Sequence, residues 1–139
     1  TRSGDLDPGV VIYMMRELKY SLAEVETILY EQSGLLGLSS KTNDVKALED
    51  SGNQSARFAL DYYCFKVAQY IAMMTVAIGG IDAIIFTGGI GENSAFVRNK
   101  VLAHLKCLES FAVRIVPANE EKMMAIHTLS LLKKADKRE

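Results

Sequence analysis

Apolar positions recur at helical spacing along most of the chain, and two short apolar runs near residues 81 and 111 break that rhythm. Asp7-Pro8 marks a helix start, a capping side chain followed by proline where a missing N–H costs nothing; that helix runs to about Leu18. Ser21-Leu22-Ala23-Glu24 is a capping box, in which Ser and Glu satisfy each other's free backbone donors. It opens a second helix carrying Leu22, Val25, Ile28 and Leu29, which ends before Gly34. Residues 33–41 read as a Gly/Ser loop holding Leu35, Leu36 and Leu38. Asn43-Asp44 then caps a short turn that reaches the break at Ser51-Gly52-Asn53.

The longest predicted helix covers residues 54 to 78 and stops at Gly79-Gly80. From Tyr62 onward it is apolar on nearly every face, which places it in a core or against a partner subunit. Residues 81–86 (IDAIIF) form a β-favouring run suited to a parallel strand covered on both sides. A glycine-rich turn follows over residues 87–93, then an amphipathic helix over 94–106. Residues 111–116 read as a second strand, 117–119 as a turn and 120–134 as a last helix, with 133–139 as a frayed tail. Strand, glycine loop, helix, strand, turn, helix is a βαβα order, which favours a helix-rich α/β fold with at least two parallel strands. Two strands do not make a sheet that stands alone, so further strands are expected outside these residues.

Composition narrows the classes. Hydrophobic residues at 49% and charged residues at 24% fit one globular unit and argue against disorder. A formal net charge of -1 disfavours nucleic acid as a partner. The longest apolar stretch, residues 70–78, is far short of the roughly 20 a membrane span needs. Cys64 and Cys107 lack metal or disulfide spacing and read as small buried apolar groups, in keeping with a reducing cytoplasm. The methionines (Met14, Met15, Met73, Met74, Met123, Met124) fall on helical faces and read as core. His104 and His127 are isolated on helices and read as ordinary residues. Thr1 in place of a methionine leads to the expectation that the chain is a piece of something longer.

Candidate chemistry centres on Thr87-Gly88-Gly89-Ile90-Gly91-Glu92-Asn93, between a strand and a helix. Glycines let backbone approach a ligand, and a helix N-terminus offers free N–H groups and partial positive charge. The same three glycines could equally do no more than make a tight turn. The pattern is neither a Walker loop, which needs a following lysine, nor a Rossmann fingerprint, which needs glycine where Ser94 stands. Arg2, on a Gly/Asp-rich turn, suits a phosphate or carboxylate clamp, or a pairing with Asp5 or Asp7 that merely holds the turn. Glu120 and Glu121 open the last helix, where acids suit the helix dipole; a Mg²⁺ ligand is the sharper alternative.

Taken together, TRSGDLDPG (residues 1–9), SGLLGLS (33–39), ALDYYCFKVAQYI (59–71), FTGGIGENS (86–94) and ANEE (118–121) resemble the acetate kinase family in order and spacing. Propionate and butyrate kinases share much of this pattern, within the acetate and sugar kinase/Hsp70/actin superfamily. The resemblance covers nearly the whole chain. It implies that residues 1–139 are a single partial domain, the C-terminal, nucleotide-binding portion of a ribonuclease-H-like (actin-type ATPase) fold. It also implies ATP and acetate as substrates, ADP and acetyl phosphate as products, Mg²⁺, and a cytoplasmic homodimer built through this region.

Residue by residue, Arg2 matches the arginine that stabilises the transferring phosphoryl group, and Asp44, Val45 and Lys46 match the segment lining the adenosine pocket. Gly89, Ile90, Gly91, Glu92 and Asn93 match the nucleotide-holding loop, and Glu120 the glutamate that supports Mg²⁺. There are departures. The adenosine segment of the family ends in arginine after a bulky residue, where this chain has Val45-Lys46, and the family has a longer excursion before residue 111. The acetate pocket, a second arginine and the remaining active-site groups are expected before Thr1, so the 139 residues alone are expected to be inactive as a kinase and prone to associate. The alternatives are a propionate or butyrate kinase and a non-catalytic nucleotide-binding or dimerisation module.

Overall fold

The computed structural model describes residues 1–108 and 110–135. Among the described residues, eight helices and two strands follow in the order α1 (Pro8–Arg16), α2 (Leu22–Glu31), α3 (Gly34–Ser39), α4 (Val45–Ser51), α5 (Gln54–Ile78), β1 (Ala83–Phe86), α6 (Gly88–Asn93), α7 (Ala95–His104), β2 (Ala112–Ile115) and α8 (Glu120–Ala135). The local signals act as their chemistry requires. The Asp7 carboxylate accepts from the Gly9 N–H ahead of α1, and the Ser21–Glu24 capping box closes on α2. Asp44, Asn53 and Ser94 accept from the backbone N–H three residues on, at the starts of α4, α5 and α7. Each such cap contributes about 1 kcal/mol. Gly79 ends α5 in the left-handed conformation at φ 78°, which a residue with a Cβ adopts only at a cost.

The core is built on α5. Ala56, Leu60, Cys64 and Ala68 form a row at i, i+4 spacing, all buried. Val97, Val101 and Leu105 form the matching row on and just past α7, and Ile84 and Phe86 of β1 close one side. Ala56, Ala59 and Ala68 are small, which lets neighbouring backbones come close; side chains as large as Leu60 and Val101, fully buried, contribute about 1.5–3 kcal/mol each. Burial also pushes the Cys64 thiol up to about 11, so it stays an uncharged apolar group.

β1 and β2 pair in parallel, with Ala83 opposite Ala112 and Phe86 opposite Ile115. The α7 helix between them makes this a crossover unit.

Several expectations change. Residues 33–41 are not a loop: Gly34–Ser39 form α3, held because the Ser33 hydroxyl donates to the Ile28 carbonyl and Leu35 packs on the core. The glycine-rich turn is likewise helical, as α6. β1 is covered on one face only, with Ile84 and Phe86 buried and Ile85 exposed, and β2 is exposed along its length. Of the six methionines only Met14 is buried. Cys107 is exposed. For Met73, Met74, Met123 and Met124, helical spacing identifies an apolar face, but among the described residues nothing covers that face on α8 or on the last turns of α5. The expected frayed tail lies mostly outside the described residues.

Candidate nucleotide cleft

Two segments separated by some forty residues in sequence meet in one cleft of about 540 Å³. Asp44, Val45, Lys46, Glu49 and Asp50, at and along α4, form one wall; Gly89, Ile90, Asn93 and Ser94 form the other. The wall from α4 is set by its cap: the Asp44 carboxylate accepts from the Ala47 N–H at 2.8 Å, so it starts the helix and leaves Lys46 as the cation beside the cleft. The opposite wall is α6, where Gly88 stands at φ 73° and Gly89 has open space where a Cβ would be. Gly91 does not face the cleft. A Cβ there would sit 3.3 Å from the Phe86 backbone carbon, so this glycine lets the helix turn pack directly on β1.

Glu92 also turns away from the cleft. Its carboxylate accepts from the Gly88 N–H at 2.7 Å and from the Ala118 N–H at 2.9 Å, so it closes α6 on itself and ties it to the segment leading into α8. The Asn93 side-chain amide donates to the Gly89 carbonyl at 2.8 Å. Arg98 donates to the carbonyls of Gly91 and Glu92 at 2.9 and 2.8 Å, neutralising the C-terminal end of α6. These contacts explain why a run with three glycines is ordered and helical.

The walls are joined across the cleft by one side-chain pair: the Ser94 hydroxyl donates to the Glu49 carboxylate while its oxygen accepts from the Val97 N–H. Sequence reasoning missed Glu49 and Arg98, because their partners are fixed only by packing. Arg98 carried a local signal, being one turn into the helix that follows the loop.

Arg2 lies elsewhere. It lines a separate cavity of about 190 Å³ with Asp5, Tyr62, Tyr63, Lys66 and Tyr70, and its guanidinium sits 5.4 Å over the Tyr30 ring. The expected pairing of Arg2 with Asp5 or Asp7 is absent among the described residues. Asp7 caps α1, and Asp5 accepts from the Tyr70 hydroxyl at 2.6 Å and from Lys66 at 3.3 Å. Those hydrogen bonds, Tyr70 first, hold the Asp5 carboxyl below its ordinary value, and Asp5 in turn raises the Tyr70 phenol.

Glu120 is exposed at the first turn of α8 and does not line the cleft. Among the described residues no group of three acidic, His or Cys side chains could hold a metal ion by itself. Mg²⁺ at nucleotide sites takes one or two carboxylates together with phosphate oxygens, so a single glutamate fits that donor set.

The acetokinase family model matches residues 1–122. The acetate kinase of Shewanella pealeana is 39% identical over 159 aligned positions, covering 96% of this chain and 40% of that protein. The alignment is longer than this chain, so that relative carries extra residues within it. The crystal structure of Porphyromonas gingivalis acetate kinase superposes with a TM-score of 0.85 at 30% identity, over 95% of this chain and 40% of that one. A propionate kinase from Francisella tularensis subsp. tularensis follows at a TM-score of 0.82 and 30% identity, over 90% of this chain and 38% of its own. The chain spans about 40% of the length of the relatives it matches.

Proposed function

The chain belongs to the acetokinase family, and from that premise we propose that it supplies the nucleotide-binding portion of an acetate kinase, transferring the γ-phosphoryl of ATP to acetate. The observation that carries this reading is the shared cleft, in which the α4 start and α6 meet around a space suited to a nucleoside. A carboxylate oxygen of acetate bonds to the γ-phosphorus as the bond to the β-phosphate oxygen breaks, giving acetyl phosphate and ADP. Acetate is preferred over propionate as acceptor because the curated relatives at 36–51% identity are acetate kinases.

The residues then divide the work. Val45, Lys46, Ile90 and Asn93 enclose the nucleoside, and the Gly88–Gly89 backbone lets its phosphates approach closely. Arg2 gathers charge on the transferring phosphoryl group, as arginines do in such reactions. Glu120 would hold Mg²⁺ jointly with phosphate oxygens, and that ion supplies neutralisation of phosphate charge. We place the enzyme in the cytoplasm, where ATP is made and spent. No helix among the described residues is long and apolar enough to cross a membrane.

Two glycine substitutions test the cleft. Gly89→Val fills open space on the cleft wall and is expected to weaken ATP binding about tenfold or more by titration calorimetry, with the melting temperature unchanged. Gly91→Val presses on the Phe86 backbone and is expected to lower the melting temperature, since overpacking costs about 1–3 kcal/mol. Normal ATP affinity in Gly89→Val would remove the cleft from the mechanism.

The proposal extends to a homodimer. Met73, Met74, Val76 and Ile78 at the end of α5 are exposed, as are Leu129, Leu131 and Leu132 of α8, and a second copy covering such faces suits their chemistry. Light scattering on the complete protein is expected to give twice the mass of one complete subunit; a stable monomer defeats this part.

A further inference from the structure

The loop that carries Arg2 has no regular secondary structure, yet it is fastened on two sides. On one side, the Ser33 N–H donates to the Thr1 carbonyl at 2.8 Å, and the Ser3 N–H to the Leu29 carbonyl at 2.9 Å. These bonds bracket Arg2 and lay its backbone on the junction of α2 and α3. Gly34, at φ 60°, lies so close that a Cβ there would stand 2.8 Å from the Arg2 carbonyl oxygen. On the other side, three residues past Arg2, Asp5 reaches α5: its Oδ1 accepts from the Tyr70 hydroxyl and its Oδ2 from Lys66. Tyr70 and Lys66 are one helical turn apart, and the Lys66 ammonium also sits 5.6 Å over the Tyr70 ring.

We infer that Tyr70, acting through Asp5, is a positioning residue for Arg2, fixing the loop that aims its guanidinium during phosphoryl transfer. The inference rests on the role given to Arg2 above. The Lys66–Asp5 pair is long at 3.3 Å and its carboxylate is open to solvent, so screening leaves it little to fix by itself. The short bond from a neutral phenol to a carboxylate is the stronger and more directional of the two. Without it the loop keeps only the long Lys66 pair on the α5 side, and Arg2 can swing relative to α5. Catalysis by positioning is sensitive to such motion, since a misplacement of about 1 Å costs about 10²-fold.

The test is Tyr70→Phe in the complete protein, which removes one oxygen and keeps the ring. Two readouts are taken: steady-state kinetics for acetyl phosphate formation, and the rate of trypsin cleavage after Arg2. The expected result is a kcat lower by about 10²-fold with KM for ATP and the melting temperature nearly unchanged, and faster cleavage. Asp5→Asn keeps an acceptor for the phenol and is expected to recover part of the kcat lost in Asp5→Ala. A kcat equal to wild type overturns the inference, as does a loss of kcat that tracks a fallen melting temperature. If the wild-type protein transfers no phosphoryl group, the functional reading fails and cleavage decides: faster cleavage in Tyr70→Phe supports the clamp, and an unchanged rate overturns it.

Discussion

Arg2→Ala in the complete protein is expected to lower kcat by about 10³-fold or more while KM for ATP changes little. The reason is positional. Arg2 does not line the cleft between α4 and α6, so its loss leaves the proposed nucleoside walls intact. In the proposed role its charge matters when the phosphoryl group is in flight and negative charge is shared between attacking and leaving oxygens. An interaction made only at that stage lowers kcat and kcat/KM together. Arg2→Lys is expected to recover only part of the loss, because an ammonium lacks the planar fork that meets two oxygens at once. Steady-state kinetics with varied ATP separate the cases. A large rise in KM with kcat intact would show that Arg2 serves ground-state binding instead.

Leu48→Ala is expected to cost about 2–5 kcal/mol of stability and to weaken nucleotide binding with it. Leu48 is 1% exposed on α4, a helix of only seven residues, and is its deepest anchor in the core around α5. A helix that short has too few backbone bonds to hold itself, so packing decides whether it forms. Its other face is the Lys46 side of the cleft. Emptying the Leu48 site therefore loosens the wall as well as the core. Thermal unfolding and calorimetric ATP titration on the same variant check both effects. A melting temperature near wild type would show that Asp44 capping, rather than Leu48, seats the wall.

Helix limits were legible because their causes lie within four residues. Asp7-Pro8, the Ser21–Glu24 box, Asn53 and Gly79 each satisfy or release backbone groups next to them, and α5 runs over the expected residues 54 to 78. Residues 33–41 misled because Ser and Gly favour turns in isolation, whereas Leu35 gains by packing on the core and carries α3 into a helix. In the glycine-rich run, the glycines announced close approach, but not which of them approaches what. Gly89 faces the cleft and Gly91 faces Phe86, a distinction set by how α6 turns on β1. Glu92 shows the same limit. Its place in the loop suggested a ligand contact, and the fold spends its carboxylate on Gly88 and Ala118.

The sequence by itself determined the starts of α1, α2, α5, α7 and α8, the two strands, the candidate loop and the family. These depend on side chains acting on their own backbone, or on stretches whose order along the chain is the signal. Only the tertiary structure decided that the α4 start and α6 face one cleft, that Ser94 meets Glu49 across 45 positions, and that Tyr70 holds Asp5 across 65. Those pairings depend on how the i, i+4 row of α5 seats α3, α4 and α7. A hydroxyl and a carboxylate carry no record of each other in the sequence; they meet because packing of apolar rows elsewhere brings their helices together.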